Sequence, residues 1–80
     1  MTTVRVRLFA ALRELAGTSV VEAQGATADE VVADLSERFG EPFAGIARAG
    51  SVVVDGECAV GATPLVGAEE IALLPPVAGG

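Results

Sequence analysis

Thr27-Ala28-Asp29-Glu30-Val31-Val32-Ala33-Asp34-Leu35-Ser36-Glu37-Arg38-Phe39-Gly40 lies between two groups of strand-like segments. Thr27 followed three residues later by Glu30 is a capping box, in which hydroxyl and carboxylate satisfy free amides reciprocally. Asp29 and Glu30 also suit the positive end of a helix dipole. Val31, Leu35 and Phe39 recur every four residues with Val32 beside them, giving one apolar stripe, and Asp34, Glu37 and Arg38 fall largely off it. Gly40 stands where the chain should turn left-handed, and Pro42 is expected to prevent continuation. The stretch predicts one amphipathic helix.

On its N-terminal side, Val4, Val6 and Leu8 alternate with Arg5 and Arg7, the period of a half-buried strand. Ala10 to Ala16 is rich in helix formers, with Leu12 and Leu15 expected on one face and Gly17 placed to end the turn. Ser19 to Glu22 reads as a second strand, stopped near Gly25. On the C-terminal side, Phe43 to Gly50 is less regular, with Phe43 and Ile46 expected underneath a single turn. Ser51 to Val54 is a β-branched strand, Asp55-Gly56 a hairpin turn, and Glu57 to Val60 a short return. Pro64 and Leu65 anchor a loop, and Glu69 to Leu74 forms the last strand. A helix between two strand pairs must cover one face of a mixed sheet, which lets the first and last strands lie adjacent and parallel. That is an α+β β-grasp arrangement of the ubiquitin type, expected over residues 1–74, with 75–80 as an extended tail.

Eighty residues suffice for one modest core. The net charge is −6, and all five basic residues are arginines: Arg5, Arg7, Arg13, Arg38 and Arg48. Such a chain is a poor nucleic-acid binder and should be steered toward a basic partner surface. A single cysteine, Cys58, precludes an internal disulfide and suits a reducing compartment. With no histidine, no metal site is expected. Neither a signal peptide nor a membrane-spanning stretch is evident, so a cytoplasmic location is expected.

The tail is built for reach. Pro75 and Pro76 fix φ and remove two backbone donors, so the chain must leave the sheet there. Six residues from Pro75 to Gly80 span about 19 Å in polyproline geometry. Gly79 and Gly80 lack Cβ atoms and can enter a slot too narrow for other residues. Glycine-rich ends are common, yet a strand, a Pro-Pro break and a Gly-Gly end together serve one mechanical purpose: carrying a carboxylate into another protein's active site.

Leu8-Phe9-Ala10-Ala11-Leu12-Arg13-Glu14-Leu15-Ala16-Gly17, Val54-Asp55-Gly56, Pro64-Leu65 through Ala72, and above all Pro75-Pro76-Val77-Ala78-Gly79-Gly80 resemble the small subunit of molybdopterin synthase, a ubiquitin-like sulfur carrier. Asp55 stands where that family more often has asparagine, and Gly67-Ala68-Glu69 departs from its usual Gly-Asp-Glu. The resemblance implies a Gly80 carboxylate adenylated with ATP by an activating enzyme, then converted to a thiocarboxylate by a sulfur donor protein. The sulfur would pass to a pterin precursor in the large subunit, in an assembly with two copies of each chain. Leu74, Pro75, Pro76, Val77 and Ala78 would contact the partner, and Gly79 and Gly80 would do the chemistry. The chain itself would bind no cofactor, with ATP used by the activating enzyme. Nothing in it resembles a phosphate-binding loop.

Other readings stay open. The same fold and tail suit a sulfur carrier for thiamine or cysteine synthesis, a protein modifier, or a plain interaction module. Cys58 is read as a small, partly buried residue rather than a nucleophile. Asp55 and Glu57 are turn residues, and the carboxylates of the main helix form a solvated face. Phe9, Leu73 and Leu74 are read as core, with Leu74 and Val77 as an alternative docking patch.

Overall fold

The computed structural model describes residues 2–76. Strand β1 (Thr3–Leu8) buries Val4, Val6 and Leu8 and turns Thr3, Arg5 and Arg7 outward, as its alternation predicts. Helix α1 (Ala10–Ala16) follows and ends at Gly17, whose φ of 77° is left-handed. Strand β2 (Val20–Gln24) runs back antiparallel to β1. The main helix α2 (Ala28–Phe39) leads directly into a second one, α3 (Glu41–Ala49). Strands β3 (Ser51–Val54), β4 (Glu57–Cys58) and β5 (Glu70–Leu74) complete a sheet ordered β2-β1-β5-β3-β4. Strands β1 and β5 are adjacent and parallel, pairing Val6 with Ile71 and Leu8 with Leu73. This is the β-grasp fold.

The start of α2 is satisfied amide by amide. Ala28 N–H donates to the Thr63 carbonyl (3.1 Å), Asp29 N–H to Gly61 (2.9 Å), and Glu30 N–H to Thr27 Oγ1 (3.3 Å). Val31 N–H closes the first turn on the Thr27 carbonyl. A helix start leaves such donors free, so the loop around residues 61–65 does half the capping. The box itself differs from expectation in one bond: the Glu30 carboxylate accepts from Ala26 N–H (2.9 Å), not from Thr27.

The stretch 43–50, expected as a loose turn, is helical through Ala49. Pro42 stands in the first turn of α3, where a missing N–H costs nothing, so it begins a helix instead of blocking one. Gly40, at φ 93°, makes the corner between α2 and α3. Phe43 is fully buried, with its ring 5.2 Å from that of Phe39. Leu12, Val31, Leu35, Phe43, Ile71 and Leu73 belong to one core between the helices and the inner sheet face.

Two apolar residues depart from expectation: Leu15, expected on one face with Leu12, and Phe9, read as core, are both exposed. Leu15 is 45% exposed, because α1 buries Leu12 and rests the half-buried Ala16, one turn on, against the core, leaving Leu15 off that line. Phe9 is 39% exposed, because its extended backbone continues the β1 alternation and carries the ring outward. The return strand is only two residues long, and Cys58 on it is exposed rather than partly buried. Asp55 (φ 50°) and Gly56 (φ 84°) both have positive φ, as a two-residue hairpin turn requires.

Candidate functional site

The chemistry expected at the C terminus begins where β5 ends. Leu73 is fully buried, Leu74 and Pro75 are half-buried, and Pro76 is exposed. The expected site residues Val77, Ala78, Gly79 and Gly80 lie outside the described residues. Central strand β5 delivers the chain to this point, held by β1 on one side and β3 on the other.

Leu74 pairs with Ser51, and the preceding residue, Gly50, lies directly under the exit. An added Cβ on Gly50 would fall on the Leu74 carbonyl oxygen and stand 3.1 Å from the Pro75 carbonyl carbon. Only glycine lets α3 end this close to the departing chain. No sequence signal distinguishes this glycine from an ordinary helix stop.

The outer face of the sheet carries no helix, and its residues fall into rows set by strand register. One row runs Glu22, Arg5, Glu70. The next runs Val20, Arg7, Ala72, Val53, Cys58. Nearest the exit Leu74 pairs with Ser51, and Phe9 follows directly on Leu8, the last β1 residue paired with β5. A shallow cleft lined by Arg7, Phe9, Arg13, Ser19 and Val20 flanks this end of β1. Sequence reading saw Leu74 here but missed Phe9, Arg7 and Arg13; strict alternation extended through Phe9 would have found the first two.

Other candidates resolve into structure. Asp55 Oδ1 accepts from Glu70 N–H (2.9 Å), tying the hairpin to β5. Asp34 accepts from Gln24 N–H (3.1 Å) and from Arg38 (2.9 Å), while Arg38 also donates to the Glu22 carbonyl (2.8 Å). The helix face therefore covers the free edge of β2. Glu69 accepts from Val66 N–H (2.8 Å) and Gly67 N–H (2.9 Å). These bonds, that from Val66 foremost, hold its carboxyl below the usual glutamate value. Among the described residues no three metal-ligating side chains come together, and no helix is long and apolar enough to cross a membrane.

Comparison with known proteins gives these features a context. The model of the ThiS family matches residues 6–80. The solution structure of small archaeal modifier protein 1 from Methanosarcina acetivorans is 28% identical with a TM-score of 0.86, covering 100% of this chain and 98% of that one. In the Amycolatopsis orientalis BexX/CysO complex, a chain 28% identical superposes with a TM-score of 0.77, over 96% of this chain and 99% of that one. The complex of subunits 1 and 2 of molybdopterin-converting factor from Helicobacter pylori contains a chain 25% identical, with a TM-score of 0.70 and coverage of 99% and 100%. No curated protein sequence matches. The family match begins within β1 and extends through every later strand and helix to the final glycine, and on that extent the chain belongs to the ThiS family of ubiquitin-like sulfur carriers.

Proposed function

We propose that this chain is the sulfur-carrier subunit of a molybdopterin synthase, with Gly80 as the carrying residue. The observation that carries the reading is the run Pro75-Pro76-Val77-Ala78-Gly79-Gly80 issuing from the central strand of a sulfur-carrier fold. Similarity to a chain in a molybdopterin-converting factor complex supports the pathway. Residues 1–74 act as the docking domain and 75–80 as the arm. The same neighbourhood includes an archaeal modifier and a CysO complex, so the test must separate those outcomes.

A C-terminal carboxylate, with an ordinary pKa near 3.5, is anionic at neutral pH and a poor acceptor for a sulfur nucleophile. In the proposed cycle a Gly80 carboxylate oxygen attacks the α-phosphorus of ATP on an adenylating enzyme, expelling pyrophosphate. Hydrosulfide, or its equivalent from a sulfur donor protein, then attacks the carbonyl carbon and expels AMP, leaving the thiocarboxylate. One hard substitution becomes two easier ones. The arm next enters the large subunit and gives its sulfur to a pterin precursor, in an assembly of two copies of each chain. Catalytic acids, bases and ATP contacts belong to the partners.

The test is intact mass after incubation with ATP, the adenylating enzyme and a sulfur source, followed by transfer to the precursor. Wild type should gain the sulfur-for-oxygen difference at Gly80, and deletion of Gly80 should abolish transfer. A misplacement of about 1 Å can cost a hundredfold, and one extended residue shifts the end by about three times that. Normal product from the truncated chain would refute the carrier reading. Sulfur delivered only into cysteine or thiamine precursors, or attachment of the chain to lysines of other proteins, would favour the relatives' roles.

A further inference from the structure

The structure points to a second partner-recognition element: we propose that Arg7 and Arg13 pair with carboxylates of the large subunit. The domain would thus dock through two basic side chains although its own net charge is −6. This rests on the carrier reading above, which supplies the partner. Eleven acidic residues stand against five arginines, yet among the described residues only Arg38 is ion-paired, with Asp34 at 2.9 Å. Arg5 lies in register between Glu22 and Glu70. Arg7 differs: its cross-strand neighbours are the uncharged Val20 and Ala72, and the row continues through Val53 to Cys58. Although Glu69 and Glu70 line the cleft on its other side, it makes no ion pair with either. Arg13, from α1, lines the same cleft beside Arg7, Phe9 and Val20.

Position makes these arginines matter. Phe9 and Val20 are 39% and 38% exposed on the uncovered face, next to the strand that launches the arm. A partner that covers them to receive the arm must also cover Arg7. A guanidinium taken out of water without an acceptor is strongly unfavourable, so the covering surface must supply one. Its planar fork suits a carboxylate, which it holds with two parallel bonds. Nucleic acid and anionic membrane also offer acceptors, but a chain of net charge −6 is repelled by both. The net charge steers approach at long range, while these two arginines fix register at contact.

The experiment is titration calorimetry of the full chain with the molybdopterin synthase large subunit from the same genome. Arg7→Glu should weaken binding by about tenfold or more. Arg13→Glu should weaken it too, and Arg7→Gln should lie between Arg7→Glu and wild type. Arg48→Glu, at an exposed position of α3 on the helix-covered side of the sheet, should bind as wild type does. Reversing a carboxylate on the facing large-subunit surface should restore binding to Arg7→Glu. Unchanged affinity for Arg7→Glu, no binding by wild type, or self-association of wild type lost in Arg7→Glu would each overturn the proposal. The mass gain at Gly80 is measured on wild type alone. Sulfur loading with an insensitive Arg7→Glu sinks only this inference, whereas absent loading sinks the carrier reading.

Discussion

Glu69 shows how one side chain holds a loop that sequence alone leaves undetermined. Its two carboxylate oxygens accept from Val66 and Gly67 N–H groups just before β5, and Gly67 there has φ 103°. Because the folded carboxyl titrates below its ordinary value of 4.5, the ionised form is favoured by folding. The stabilisation is present above the unfolded pKa and is lost as pH falls through the folded one. Glu69→Gln should therefore lower the urea midpoint at neutral pH, and the gap from wild type should close as pH drops below 4.5. A gap unchanged in acid would show that the loop is held by something else. At this scale the sequence was legible where a residue's role is local, as with Thr27 or Gly17. It misled where exposure depends on packing direction: Leu15 and Phe9 are apolar, and nothing in their identity says which way a seven-residue helix rolls or a strand end points.

Helix α3 carries the clearest lesson about elements, and its two glycines give opposing predictions. Gly45 is exposed, with nothing within 4 Å of an added Cβ, so Gly45→Ala should stabilise by about 0.5–1 kcal/mol through backbone entropy. Gly50 sits under the chain leaving β5, so Gly50→Ala would press on the Leu74 carbonyl and should cost about 1–3 kcal/mol. Urea midpoints of the pair check the sign, and Gly50→Ala should also slow sulfur transfer in molecules that remain folded. Equal stability of the two variants would mean the exit is wider than the structure shows. Helix α2 was readable because cap, stripe and stop all agree within fourteen residues. Helix α3 was not, because Pro42 directly after a helix end looks like a stop, and only the corner at Gly40 makes it a start.

Across the whole molecule, the topology follows from one constraint. A helix covering a sheet between two strand pairs brings the first and last strands together, and that places the launching strand at the centre. The same order sets strand β3 between the end of β5, where the proposed arm begins, and Cys58 on the outermost strand β4. Exposure of Cys58 reopens a nucleophile reading that a buried thiol would have closed, so the two positions need a direct contest. If the sulfur travels on the terminal carbonyl, Cys58→Ala should load and transfer sulfur at the wild-type rate. It should also remove any disulfide-linked dimer formed in oxidant. Its stability should change by no more than about 0.5 kcal/mol, since an exposed side chain away from caps and core contributes little. Deletion of Gly80 should do the reverse, leaving the dimer and abolishing transfer. Loss of sulfur transfer in a folded Cys58→Ala chain would move the chemistry from the arm to the sheet edge.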